Sequence, residues 1–514
     1  MSRVFLVGAG PMMDGGACRV TAHAVRTWHF VTALRRAGHE VVVCTVSQTI
    51  SPLDPVKGMI ERRVKEDFAY ENLDMRAGNM LAYLAERCSA IRPDGVVGVS
   101  TEPASWACRM RPTVPVWADL HGWVMAEAQL KAARDGNDDI LSYFWQHERP
   151  VLRRADKISA VSNAQRFALL GELATVGRLN RHTAEYEFVV TIPSSIDPVK
   201  AEAGSERLEA GGEKLEAGEK QQLPASRLSF PASSLSPPAS SLSLPASSLS
   251  PPASHFPPPT SFVVLWSGGF NTWADPITLF EGLDWAMERD PRIHFVATGG
   301  AIPGHADAVF DAFCERVNNS PHRARYHLAG WVAAEQFPAY LAAGHLAICA
   351  DLPCLETSSG TRTRLVEAMA AGLPILMTRG TELSIELERE GIGWVVAPRD
   401  SRALGEKILE LARDRERTAR MGELSRQFVE QRYSIERTLE QLVRWAERPC
   451  FAPDNALKHA QSPAIFEAAL NQLEANARAL DDIANVQSLV QARRDLDRLR
   501  SRWPLRLWRW LRPR

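Results

Sequence analysis

The chain has no paired-cysteine motif, no long apolar run and almost no net charge, and each absence closes off a class of protein. Its eight cysteines, at 18, 44, 88, 108, 314, 349, 354 and 450, are scattered, with no C-x-x-C pair. That spacing argues against structural zinc and a disulfide scaffold, and for unpaired thiols in a reducing compartment. No hydrophobic segment approaches the roughly 20 residues that span a bilayer, because charges or Gly/Pro cut every run within about ten residues. No secretory apolar segment follows Met1. Lys and Arg number 60 against 61 Asp and Glu, so a net charge of −1 provides no global field to gather nucleic acid. These absences predict a cytoplasmic chain, soluble or peripheral on the inner face of a membrane, that binds no nucleic acid.

What is present is ample for two or three cores: 514 residues, 45% hydrophobic and 24% charged. Val4-Phe5-Leu6-Val7-Gly8 leads into helical spacing from Thr21 to Ala37, then Gly38-His39, then Glu40 to Cys44. Unbroken Val/Leu strands are buried on both faces, and strands alternating with helices predict a parallel sheet covered on both sides. Similar runs at 95–99, 114–118, 157–161 and 188–192 assign residues 1–197 to one Rossmann-like domain. A second series at 262–266, 293–297, 324–328, 346–349, 374–377 and 393–396, followed by helices at 403–412, 418–432 and 435–448, assigns 262–450 to another. The expected fold class is therefore α/β, with two doubly wound domains facing across a cleft and presenting their loops at the carboxyl ends of the strands.

Residues 198–261 break the rhythm. Pro-Ala-Ser-Ser-Leu-Ser begins at 231, 238 and 245, and proline at every period forbids a coiled coil, so this stretch reads as a disordered or PPII-like tether. Residues 451–514 read as a helical tail. From Arg493 to Arg514 nine arginines interleave with Trp503, Trp508 and Trp510, a composition that suits 498–514 to an anionic membrane surface. A helix packed on a neighbour through Leu480, Ile483, Leu489 and Leu496 is the alternative.

Three glycine-containing loops carry the chemistry. Gly8-Ala9-Gly10-Pro11-Met12-Met13 lacks the third glycine of a dinucleotide fingerprint, and no acidic residue ends the next strand at Cys44-Thr45, which argues against NAD. Gly10, Gly15 and Gly16 then read either as a loop touching an acceptor or as a tight turn. In the second domain Gly268-Gly269 precede Trp273, with Asp275 set to cap a helix that Pro276 begins. In Leu355 to Pro374, Ser359, Gly360 and Thr361 offer N–H groups at a helix N-terminus. Arg362 and Arg364 add positive charge for a diphosphate, and Glu367 follows about one and a half turns along. A buried Glu–Arg pair is the competing reading of this stretch.

Glu367-Ala-Met-Ala-Ala-Gly-Leu-Pro374 resembles the donor-site helix of retaining family 4 glycosyltransferases of the GT-B fold. With 265–276, 361–365 and Leu170 to Asn180, the likeness extends to a branch found among bacterial surface-polysaccharide and O-antigen enzymes. The resemblance implies transfer of a hexosyl-type sugar from a nucleotide-diphosphate sugar in the second domain to a glycan or lipid-linked glycan on the first. Configuration is retained, and no metal or cofactor is needed. Glu367 would hold the ribose hydroxyls. The family's Glu-x7-Glu pattern is departed from: Ser359 stands eight positions before Glu367, and Glu356 is the nearest carboxylate. Asp119 and His121, after the strand at 114–118, would meet the transferred sugar, so Asp119, His121 and Glu356 are the candidates for the reacting centre. His121 reads equally well as structural. Ser359 also keeps open a catalytically silent adaptor at the membrane. A sugar epimerase or dehydrogenase is disfavoured, because no Tyr-x-x-x-Lys pair accompanies the broken fingerprint.

Overall fold

The computed structural model describes residues 1–12, 21–47, 60–74, 79–197, 257–301 and 307–455. The Pro-Ala-Ser repeats, Gly15 and Gly16, and the basic Trp-rich segment lie outside these described residues. Met1–Ala452 form one compact unit, and of the second, Pro453–Arg514, only residues 453–455 are described.

The first sheet comprises β1 (Arg3–Gly10), β2 (Glu40–Ser47), β3 (Ile60–Lys65), β4 (Phe68–Asp74), β5 (Gly95–Val99), β6 (Val116–Leu120), β7 (Lys157–Ala160) and β8 (Val189–Thr191). Their order is β3-β4-β2-β1-β5-β6-β7-β8, parallel except for the β3–β4 hairpin. Helices α1 (Ala22–Arg36), α2 (Met80–Ile91), α3 (Thr101–Arg109), α4 (Val124–Asp135), α5 (Asp139–Arg154) and α6 (Asn163–Thr175) cover it. Thr21 caps α1 by accepting from Ala24 N at 3.2 Å. The hairpin went unseen in the sequence because its turn, Glu66-Asp67, has no Gly or Asn to announce it; Glu66 itself takes the left-handed conformation at φ 56°.

The second sheet is wholly parallel, in the order β11-β10-β9-β12-β13-β14: β9 (Phe262–Ser267), β10 (Ile293–Thr298), β11 (Tyr326–Gly330), β12 (Leu346–Cys349), β13 (Ile375–Thr378) and β14 (Trp394–Val396). Its helices are α7 (Pro276–Arg289), α8 (Asp307–Asn319), α9 (Phe337–Ala343), α10 (Leu355–Ser359), α11 (Thr363–Ala370), α12 (Glu382–Glu390), α13 (Ser401–Arg413) and α14 (Arg415–Arg432). Asp275 caps α7 as expected, accepting from Thr278 N at 3.0 Å, with Pro276 at its start.

The last helices, α15 (Ile435–Thr438) and α16 (Glu440–Glu447), return to the first domain rather than closing the second. Ile435, Leu439, Leu442 and Trp445 join a core with Val4, Leu6, Val41 and Trp117, and the Trp117 and Trp445 rings lie 5.6 Å apart. Helical periodicity reveals an apolar face but not which core receives it, so the sequence put this segment in the wrong domain.

In each sheet the strand order reverses beside the first strand, between β1 and β5 and between β9 and β12. Ligands of open α/β sheets bind outside the carboxyl ends at such points. The two carboxyl-end faces meet. Ser162 Oγ donates to Ser359 O at 2.6 Å, and Ser194 Oγ lies 2.8 Å from Thr363 Oγ1 and 3.2 Å from Thr361 Oγ1.

Candidate active site

At the end of β9 the chain turns through Gly268 (φ 84°), whose N–H donates to Thr298 O at 2.6 Å. A Cβ on the facing Gly299 would stand 2.1 Å from Gly268 O, so these two loops can meet backbone to backbone only with glycine there. Trp266 is fully buried and stacks on Phe270 with 4.6 Å between ring centroids. The Arg364 guanidinium lies over Trp266 at 4.2 Å. It donates from Nη1 to Gly269 O at 3.1 Å and from Nη2 to Cys349 Sγ at 3.2 Å.

Arg364 Nε is buried without a partner among the described residues, as are Thr272 Oγ1, Thr298 Oγ1 and Asp351 Oδ1. All four sit at or just beyond the carboxyl ends of β9, β10 and β12 or at the head of α11. Each such atom costs about 1–3 kcal/mol if left unpaired. Four together mark a place where a polar ligand would complete the bonding.

Glu367 is half-buried on α11, about one turn from its start, and no hydrogen-bond partner for its carboxyl occurs among the described residues. Burial alone pushes that carboxyl up to about 7. The N–H groups of Thr363 and Arg364 open α11 and find no backbone acceptor among the described residues; they carry the positive end of the helix dipole. Gly360 and Thr361 border a crevice of about 360 Å³ between the domains, opposite Ser162 and Thr191. Gly268, Gly269, Trp273, Gly360, Thr361, Arg364 and Glu367 are thus gathered at one end of one sheet.

Five other sequence candidates are engaged in structural work. Arg362, expected to face a diphosphate, is 3% exposed. Its Nε donates to Asp351 Oδ2 at 2.6 Å, its two Nη atoms reach the Glu356 carboxylate at 3.2 and 3.0 Å, and Trp273 covers the guanidinium at 5.4 Å. At Arg362 and Glu356 the structure therefore has the buried Glu–Arg pair. Burial pushes the Glu356 carboxyl up, and its Arg362 hydrogen bonds pull it back. Ser359 is buried in α10, with Oγ donating to Leu355 O at 2.7 Å. That short helix also consumes the N–H groups of Ser358 and Gly360, leaving free donors only further along.

Asp119 does not reach the cleft. Strand β6 runs to Leu120, two residues past its expected end, so Asp119 points inside the fold with 0% exposure. It pairs with Arg26 Nε and Nη2, both at 2.7 Å, and accepts from Ser159 Oγ at 2.6 Å. Removing one partner of such a pair leaves an unpaired buried charge, so Arg26→Ala is expected to cost about 3–5 kcal/mol in urea unfolding. Gly10 is no acceptor loop either: it ends β1, and a Cβ there would lie 2.3 Å from Thr45 Oγ1 and 2.6 Å from Asn72 Oδ1.

His121 stays at the mouth, half-buried beside Gly122 (φ 102°). Its Nδ1 has no partner among the described residues, and its ring meets His23 edge-on at 5.1 Å. Burial holds His121 well below the ordinary histidine range, with Arg26 and the neighbouring histidines adding to the effect, so it is neutral at pH 7. His23 was not singled out in the sequence, although its position at the head of a helix after a Gly-rich loop was a usable signal. Asp351, Thr298, Ser162 and Ser194 offered none, because their roles rest on contacts between distant segments. No cluster of three or more metal-ligating side chains occurs among the described residues.

Two family models match this chain: Glycosyltransferase Family 4 over residues 23–173 and Glycosyl transferases group 1 over 262–414. They fall on the two sheets in turn, and the chain is a GT-B glycosyltransferase of the family 4-like kind. A sequence search of curated proteins gives no match. Among solved structures, sucrose-phosphate synthase from Thermosynechococcus elongatus aligns at TM-score 0.56 and 16% identity, over 86% of this chain and 98% of that one. HepE of Anabaena, in complex with UDP-glucose, aligns at 0.52 and 13%, over 86% and 99%. An alpha,alpha-trehalose-phosphate synthase (UDP-forming) from Burkholderia vietnamiensis aligns at 0.55 and 11%, over 87% and 99%. At these identities the likeness is one of fold.

Proposed function

We propose that this glycosyltransferase moves a hexose from a nucleotide-diphosphate donor, bound at the β9/β12 switch point, to a glycan or lipid-linked glycan acceptor on the first domain. The observation that carries the reading is the set of four unpartnered buried polar atoms around Arg364, with Glu367 beside them. Glu367 would accept from the ribose hydroxyls. Arg364 and the α11 N–H groups would hold the diphosphate, and neutral His121 would face the sugar. UDP is the first nucleotide to test, because HepE is described with UDP-glucose and the Burkholderia enzyme as UDP-forming.

The reaction breaks the bond between C1 and the phosphate oxygen and forms one from C1 to the acceptor oxygen, while the acceptor proton passes to the departing phosphate. Charge develops on the diphosphate and at C1, so preorganised positive charge contributes more than a side-chain nucleophile would. Attack from the face of the leaving group retains configuration, and the protein supplies the cations without a metal. Incubation with UDP-glucose in a chelating buffer is expected to release UDP, and an α-donor is expected to give an α-product by NMR. A β-product would refute retention. Residues 498–514 fit an anionic membrane carrying the acceptor for surface polysaccharide. Vesicle binding that survives their removal would rule that out.

A further inference from the structure

Arg362 and Arg364 stand two residues apart and meet two residues that are also two apart, Arg362 with Asp351 and Arg364 with Cys349. The neighbours that hold them are of opposite kinds. Arg362 is neutralised, its fork shared between the carboxylates of Asp351 and Glu356. The three groups that hold Arg364 are uncharged: the Trp266 ring at 4.2 Å, the Gly269 carbonyl at 3.1 Å from Nη1, and the Cys349 sulfur at 3.2 Å from Nη2.

Cys349 ends β12 with 0% exposure. Its Sγ–H donates to Asp351 Oδ2 at 3.4 Å, the same oxygen that Arg362 Nε bonds at 2.6 Å. Asp351 is in turn fixed through its main chain: its N–H donates to Thr378 Oγ1 at 2.8 Å, and that hydroxyl donates to Asp351 O at 3.2 Å. With its proton directed to Asp351, the thiol presents only sulfur lone pairs to Arg364 and acts there as an acceptor. Burial and the Asp351 carboxylate push the thiol up to about 11, which keeps it uncharged through the neutral range. A continuous row thus runs from the buried ion pair to the glycine loop after β9: Arg362, Asp351, Cys349, Arg364, Gly269.

The residue type at 349 matters for an electrostatic reason. A carboxylate there would pair with Arg364 and neutralise it before any ligand arrived, and an aliphatic side chain would leave Nη2 without its acceptor. A thiol is a weak and neutral acceptor. It fixes the guanidinium on Trp266 while sparing both the positive charge and the buried, unpartnered Nε.

We propose that Cys349 is a positioning residue, which holds Arg364 against Trp266 as an un-neutralised cation for the donor diphosphate. The inference rests on the functional reading of Arg364 as a diphosphate ligand.

Titration of the full chain with UDP and, separately, with uridine tests it. Cys349→Ala is expected to weaken UDP by about tenfold and to leave uridine unchanged, because only the diphosphate meets Arg364. Cys349→Val fills the space without an acceptor and should show the same loss, which separates the missing hydrogen bond from a cavity and keeps the test if the alanine variant does not fold. Cys349→Ser restores a neutral acceptor and should recover most of the affinity. In an Arg364→Ala background, Cys349→Ala should cost nothing further. With Arg364→Ala weakened as expected, wild-type UDP affinity in Cys349→Val, a loss that falls equally on uridine, or no recovery in Cys349→Ser would overturn the proposal. If UDP does not bind, or binds Arg364→Ala as it binds the wild type, the functional reading fails first and takes the positioning role with it.

Discussion

Arg362→Ala is expected to destabilise the protein by about 3–5 kcal/mol in urea unfolding, the largest loss from any single substitution at the cleft. Its guanidinium is the shared counter-ion of Asp351 and Glu356, all three being nearly or wholly buried. Alanine leaves two carboxylates out of water with nothing to neutralise them. The loss should shrink toward acid pH, because the Glu356 carboxyl, pushed up by burial, can then protonate, and it should be greatest at neutral pH and above. Arg362→Lys is expected to recover only part of it, since one ammonium cannot copy a fork that reaches Asp351 through Nε and Glu356 through both Nη atoms. A stable Arg362→Ala protein that had merely lost nucleotide affinity would return Arg362 to the diphosphate.

Glu367→Ala should do the reverse: weaken nucleotide binding by about 10–100-fold while leaving the fold as stable as before. The affinity range corresponds to losing hydrogen bonds to a charged acceptor, about 1.5–3 kcal/mol. Stability is spared because the carboxyl carries a desolvation penalty without a compensating partner among the described residues. A carboxyl pushed up to about 7 also binds protons in competition with its ligand. Wild-type affinity should therefore fall as pH drops through neutrality, by up to about tenfold per unit. Glu367→Gln should flatten that dependence. Titration calorimetry across the pH range checks both expectations, and a Glu367→Ala protein with unchanged affinity would exclude the ribose role.

These two residues also show how far the sequence could be read. The strands were legible because fully buried parallel strands are unbroken apolar runs: Val4 to Gly8 and Phe262 to Trp266 lie within β1 and β9. Asp275-Pro276 announced its helix through capping chemistry that is local in sequence. Arg362 and Arg364 are two positions apart with the same side chain, and nothing local distinguishes them. The break between α10 and α11 turns one toward Asp351 and leaves the other over Trp266. Asp119 was misjudged for a related reason. Its fate depended on whether β6 stopped at Ala118 or ran on to Leu120, and Arg26, its partner, is 93 residues away. The hairpin β3–β4 and the destination of α15 and α16 were hidden likewise, one by an unmarked turn and the other by a core contributed from the opposite end of the chain.

The most direct test of the account is isothermal titration of the intact chain with UDP in a chelating buffer, repeated with Arg364→Ala and Glu367→Ala. We predict one UDP bound per chain, lost or severely weakened in both variants, with unfolding midpoints close to wild type. Binding that persists in both variants, or no binding of UDP, GDP, CDP or dTDP by the wild type, would contradict the assignment of the β9/β12 switch point as the nucleotide site.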